Sequence, residues 1–192
     1  MAVNCGQLIA DPVPDHPLLA GRLEIGRGEN TIVLEGDVID GQEHVLKVLS
    51  SPTDYAYYTA LDRPTGKHFP IVYADHGTAG LSSRGFPFHI VEVERLYPLP
   101  RAGDAFDLAG KISTLYFAGC QMWRYLARDM GRIALHHLAV TPMGWSEAIQ
   151  QSLKALEDFS VGYDALPDLL KADNLMIRKD GTLVFSDPVF MG

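Results

Sequence analysis

Apolar and polar residues alternate with a period of two over positions 23–33, and β-prone runs at 34–39 and 44–49 flank the dipeptide Asp40-Gly41. An Asp-Gly pair between two such runs predicts a tight hairpin, because its two residues tolerate the positive φ that the favoured two-residue turns need. Ser51-Pro52-Thr53-Asp54 then opens a helix over about 54–61: proline fits a first turn and aspartate suits the positive end of the helix dipole. Pro64 and Gly66 stop it. Two more strands are predicted at 71–75 and 88–95, separated by a Gly- and Ser-rich loop at 77–85. Beyond Pro98 and Pro100 the period changes to that of a helix. Ile112, Tyr116, Gly119, Trp123, Leu126 and Met130 fall on one face of a first helix, and Trp145, Ile149, Leu153, Leu156 and Phe159 on that of a second. A short hairpin follows, 175–178 and 183–186 around Lys179-Asp180-Gly181. The expected organisation is an extended lead-in at 1–20, rich in proline, a sheet-plus-helix unit at 21–97 and a helical unit at 98–192.

Composition narrows the class. The chain has 192 residues, 47% of them hydrophobic, enough for a packed core and too apolar for disorder. A formal net charge of −8 without a basic run argues against nucleic acid as a partner. Cys5 and Cys120 do not make a disulfide framework, and Cys120 reads as a buried thiol. No stretch reaches the length of a membrane span, and the first ten residues lack a basic, then apolar, signal pattern. The expectation is a cytoplasmic protein with no membrane partner.

Four groups carry candidate chemistry. Gly26-Arg27-Gly28 is either an ordinary turn or a backbone cradle for phosphate, since glycines let N–H groups approach an anion unobstructed. Lys47 is the one charge in Val45-Leu46-Lys47-Val48-Leu49; it is either edge decoration or a cation reaching an anionic ligand. Asn174 and Asp187 stand at the two ends of the terminal hairpin. They either flank turns or offer hard oxygen ligands to magnesium. Val93-Glu94-Arg95-Leu96 ends a strand at the junction of the two units, where backbone groups can meet a flat base. His136-His137 is a poor metal pair, because adjacent helical residues point about 100° apart.

Taken together and in this order, these segments resemble the eukaryotic-type protein kinase fold. Ile25-Gly26-Arg27-Gly28 with Val33 is similar to its glycine-rich loop, Val45-Leu46-Lys47 to the strand bearing the ATP lysine, and Val93-Glu94-Arg95-Leu96 to its hinge. Within that fold the likeness is nearest to the small serine/threonine kinases of short-tailed bacteriophages. It is carried by Leu46-Lys47-Val48 with Asp54-Tyr55-Ala56-Tyr57-Tyr58-Thr59-Ala60, by Phe69-Pro70-Ile71-Val72-Tyr73, and by Asp173-Asn174-Leu175-Met176 with Ser186-Asp187-Pro188-Val189.

The resemblance implies a two-lobed α+β fold with a reduced helical second lobe, ATP and magnesium as cofactors, and a host protein as substrate. It implies that Gly26, Gly28, Val33, Glu94 and Leu96 contact the nucleotide, that Lys47 meets its phosphates with Asp54 as partner, and that Asn174 and Asp187 hold the metal. The family's catalytic carboxylate would fall five residues before the metal Asn, at Leu169; a one-residue bulge would deliver Asp168 instead. Five residues follow Asp187, so no activation segment and no regulation by loop phosphorylation are expected. Leu169 with the reduced second lobe keeps open a catalytically impaired pseudokinase that binds a host protein; the shared metal residues keep open a small-molecule phosphotransferase of the antibiotic-kinase type, for whose large helical lobe this chain has little room.

Overall fold

The structure, a computed structural model, describes residues 11–141 and 143–191. The expectations for Cys5 and for positions 1–10 of the lead-in lie outside the described residues. The chain has an α+β fold. Strands β1 (Glu24–Arg27), β2 (Thr31–Ile39), β3 (Gln42–Leu49), β4 (Val72–Leu81) and β5 (Pro87–Glu94) form an antiparallel sheet in the order β1-β2-β3-β5-β4. The Asp40-Gly41 hairpin joins β2 to β3, with both residues at positive φ. Helix α1 (Pro52–Thr59) connects β3 to β4; Ser51 caps it by accepting a hydrogen bond from Asp54 N, and Pro52 opens it.

Alternation sorts the sheet into two faces. Ile32, Leu34, Leu46, Val48, Phe88 and Ile90 pack on the outer face. Leu19 is buried against them, with Leu18 and Val13 alongside, so residues 11–22 form a cover for the sheet rather than a simple extended lead-in. Val45, Leu49, Val91 and Val93 point the other way, into a core shared with α1 and the second half.

The second half carries α2 (Asp104–Met122), α3 (Met130–Val140) and α4 (Glu147–Gly162). The single helix expected over 112–130 is therefore broken. At Trp123 the backbone leaves the helix (φ −103°, ψ 14°), a short 3₁₀ stretch follows, and Ala127 at φ 46° turns the chain back. The turn lets α3 pack on α2. Gly119 makes the contact possible, because a Cβ there would stand 2.8 Å from that of Ala134. Leu126 and Met130 extend the apolar period past the break without being buried. Strand β4 differs from expectation as well: it runs through Gly77 and Gly80 to Leu81, and the loop shrinks to residues 82–86. Positive-φ glycines absorb register shifts while β5 supplies a continuous edge.

Four short strands follow: β6 (Ala165–Pro167) pairs with β9 (Val189–Met191), and β7 (Leu175–Ile177) with β8 (Leu183–Phe185). The β7–β8 hairpin is tied to the first half through several backbone groups. Tyr57 Oη donates to Phe185 O (2.6 Å), Tyr58 Oη to Ser186 O, and His68 Nδ1 to Leu183 O (2.7 Å). Arg178 donates to both carboxylate oxygens of Glu94 (2.6 and 2.7 Å) and to the carbonyls of Phe69 (2.8 Å) and Lys67. Among the described residues no helix is long and apolar enough to cross a membrane.

Glu94 is nine-tenths buried and also accepts from Ile71 N. Removing its cationic partner leaves an uncompensated buried charge, so Arg178→Ala should lower unfolding free energy by about 3 kcal/mol. Urea denaturation followed by far-UV circular dichroism measures this.

Candidate functional site

Strand period places Lys47 on the face of β3 that also carries Val45 and Leu49, opposite Leu46 and Val48. Its register partners are Val33 on β2 and Val91 on β5. Gly26 pairs with Val33, so the glycine turn hangs over the same face. Gly28 N donates to Thr31 O (2.8 Å), which closes that turn. Neither glycine is demanded by the fold. Both keep negative φ, and an added Cβ would meet nothing nearer than 3.6 Å.

Two adjoining cavities open beneath this face. One, of ≈ 280 Å³, is lined by Ile25, Val33, Val45, Lys47, Leu96 and Met176, together with Gly26, Gly28, Tyr58 and Glu94. The other, of ≈ 440 Å³, is more polar and is lined by Asp54, Arg84, Asp168, Lys171 and Asn174 among others. Gly28, Thr31, Asp173 and Asp187 line both. Lys47, Asn174 and Asp187, 140 positions apart at the extremes, thus face one divided cleft.

Residues 168–174 are pinned from every side. Asp168 N donates to Pro188 O (2.7 Å), Tyr116 Oη to Pro167 O (2.5 Å) and Ser113 Oγ to Leu169 O (2.8 Å). The Leu169 side chain is buried in the core, while Asp168 lines the polar cavity. The chain thereby presents to the cleft the carboxylate that stands one position before the expected one. Asn174 donates its amide N–H to Asp168 O (2.7 Å), which leaves the amide oxygen free to meet a cation. Ser186 N and Oγ bond the carbonyls of Asn174 (2.9 Å) and Asp173 (2.7 Å), so Asn174 and Asp187 are held in fixed relation.

The expected Lys47–Asp54 pair is not made. Lys47 Nζ donates instead to Tyr58 Oη, and sits 4.7 Å from that ring's centroid. Asp54 lies at the start of α1, one turn before Tyr58; among the described residues its buried Oδ1 has no hydrogen-bond partner, nor does Oδ1 of Asp187. Burial, reinforced by the negative charge of Asp187, pushes the Asp54 carboxyl up to about 7. Burial raises Asp187 too, opposed by the Lys47 ammonium. Burial, with Asp187 adding to it, holds the Tyr58 hydroxyl well above its usual range, so it stays protonated.

Unpartnered buried carboxylate oxygens fit a cation, since each forfeits the hydration it would have in water. Among the described residues no three His, Cys, Asp or Glu side chains converge as a metal cage. The Glu94 carboxylate is bound to Arg178 and its N–H to Ile71 O (3.0 Å), so neither of these groups is offered to the cavity. His136 bonds Glu157 (2.6 Å), His137 stacks on Trp123, and Cys120 is a buried free thiol.

Three contributors were not read from the sequence. Tyr58 entered only as part of the segment that carries the resemblance, with no role of its own. Arg84, at the tip of the β4–β5 loop, bonds Asn30 beside the glycine turn and puts a positive charge at the polar cavity. Lys171 stands 3.5 Å from Asp168. Loop-tip charges carry no periodic signal that would have marked the last two.

No protein-family model and no curated protein matches the chain. Among solved structures it is similar to a thermostable mutant of the aminoglycoside phosphotransferase APH(4)-Ia, in ternary complex with AMP-PNP and hygromycin B. The identity is 14% and the TM-score 0.34; the match covers 88% of this chain and 66% of that one.

The Asp54 carboxyl binds a proton more tightly in the folded chain than at its ordinary value of 3.8. Stability present below that value is therefore lost as pH rises through about 7. Facing groups are Asp187, Lys47 and Lys171. In EDTA, Asp54→Asn should exceed wild type by roughly 2 kcal/mol at pH 8 and lose that advantage at pH 4; melting curves at the two pH values check it.

Proposed function

We propose that the chain is an ATP-dependent phosphotransferase built like a protein kinase, acting on serine or threonine hydroxyls of a host protein as the phage kinases it resembles do. One observation carries this reading: Lys47, Asn174 and Asp187, from distant parts of the sequence, line one cleft that is apolar at one end and acidic at the other.

The apolar end takes the base. Ile25, Val33 and Val45 of the sheet and Met176 of β7 supply two faces, and the backbone at Leu96 supplies hydrogen bonds at its edge, since the N–H groups of Glu94, Arg95 and Tyr97 are bound to Ile71 O, Glu43 O and Ile177 O. Phosphates then extend under the glycine turn towards Lys47, whose charge offsets theirs. The Asn174 amide oxygen and the Asp187 carboxylate would hold magnesium. When bound, that ion would offset the negative charge of the phosphates during transfer.

The acceptor enters through the polar cavity. Asp168 orients its hydroxyl and takes its proton as the new oxygen–phosphorus bond forms. The bond from the γ-phosphorus to the bridging oxygen breaks, and ADP leaves with that oxygen. Positioning supplies most of the acceleration, because phosphoryl transfer needs little covalent help.

A second reading, a catalytically impaired module that occupies a host protein, is favoured by the unmade Lys47–Asp54 pair. The two readings separate in paired measurements. With ATP and magnesium at one hundred times Kd, wild type should gain about 2.7 kcal/mol of stability, and Asp187→Ala should gain none. Transfer of labelled γ-phosphate to host-cell protein should fall at least about 100-fold in Asp168→Asn while the ATP-induced stabilisation persists. Equal labelling by wild type and Asp168→Asn, with nucleotide binding intact, would favour the second reading.

A further inference from the structure

Tyr58 does more than fill the core. It is almost completely buried, its ring packs edge-on against Tyr57 (5.2 Å between centroids), and its hydroxyl stands at the junction of two functional segments. That oxygen accepts from Lys47 Nζ and donates to Ser186 O, the carbonyl immediately before Asp187. The ammonium also lies near the ring. Asp54, the carboxylate on the same helix, makes no ion pair with Lys47 and leaves Oδ1 without a partner. Among the described residues, Tyr58 Oη is the hydrogen-bond acceptor that fixes the ammonium.

We propose that Tyr58 is the positioning residue of the phosphate-binding lysine, replacing a helix carboxylate with a neutral oxygen that also couples Lys47 to the segment carrying Asp187. The inference rests on the nucleotide-site reading above. A carboxylate partner would neutralise much of the lysine's charge before phosphate arrived. A phenol fixes the ammonium without opposing its charge, so Lys47 retains its pull on an anion. The second hydrogen bond gives the arrangement a direction. With its own proton given to Ser186 O, the Tyr58 oxygen turns its lone pairs to Lys47, so one hydroxyl links the lysine to the segment carrying Asp187.

Equilibrium binding of ATP with magnesium tests this, measured by calorimetry on wild type, Lys47→Met, Tyr58→Phe and the double variant. Tyr57→Phe is the control: its lost hydroxyl serves Phe185 O and does not touch Lys47. Lys47→Met and Tyr58→Phe should each weaken ATP binding about 10-fold. The double variant should be no weaker than Lys47→Met, because the tyrosine acts through the lysine. Tyr57→Phe should lower the melting temperature without changing ATP affinity. Losses that add in the double variant, or full affinity in Tyr58→Phe beside a weakened Lys47→Met, overturn the proposal.

A reading that leaves Tyr58 in place comes from 3-fluorotyrosine labelling. Lys47→Met should move the fluorine resonance of one buried tyrosine, and an unchanged spectrum overturns the contact. Wild type that binds no ATP, with that resonance still responsive to Lys47→Met, removes the nucleotide site itself and the proposal with it. That pattern differs from the failure of the Tyr58 assignment alone.

Discussion

The hydroxyls of Tyr57 and Tyr58 reach 128 positions along the chain to the carbonyls of Phe185 and Ser186. These bonds, with the Arg178–Glu94 pair, fasten the β7–β8 hairpin to the sheet. Each uses a backbone or carboxylate group that burial would otherwise penalise, so the join is enforced by polar satisfaction as well as by apolar contact. Asp187 follows Ser186, whose carbonyl accepts from Tyr58, and that bond holds its place opposite Lys47. The core reflects it too, since one continuous cluster runs from Val45 and Val91 through Tyr57 and Phe69 to Phe185 and the helices.

Around the fixed hairpin the structure tolerates groups that do not favour folding. Among the described residues Asp54 and Asp187 keep unpartnered buried oxygens, and burial, reinforced by their repulsion, raises the proton affinity of Asp54. Natural sequences accept such local cost mainly where a ligand relieves it. The residues that surround the pair are held tightly instead. Residues 168–174 have their carbonyls and amides bound to α2, to β9 and to each other. A rigid frame around unsatisfied charge is a pre-organised arrangement for a cation and an anion together.

Sequence signals of short range proved legible. Asp40-Gly41, the Ser51-Pro52 helix start and the Lys179-Asp180-Gly181 turn each specify their own geometry, and the structure has the hairpin or helix there. The break after Met122 was hidden, because Leu126 and Met130 continue the apolar period across a chain reversal. The length of β4 was hidden for the opposite reason: its glycines suggest a loop, and only pairing with β5 keeps it extended. In the cleft, Lys47, Asn174 and Asp187 could be picked out by residue type in a telling order. Which of Asp168 and Leu169 faces the cavity could not, since it is settled by Tyr116, Ser113 and Pro188 from elsewhere. Tyr58 could not be distinguished from packing, as an aromatic one turn from Asp54 on a buried helix face reads as core whether or not its hydroxyl is used.

The long reach of the two tyrosines also bears on how the molecule comes into being. During synthesis the sheet and α1 leave the ribosome well before residues 183–187 exist. Until then the Val45–Val91 face and both phenols lack their final cover. The nascent intermediate exposes apolar surface for the time that the roughly ninety residues between β5 and β8 take to be made. It is the kind of species that chaperones bind and that aggregates when they are scarce. On that intermediate Lys47 has no Asp187 to face, so the cleft forms only once β8 has docked.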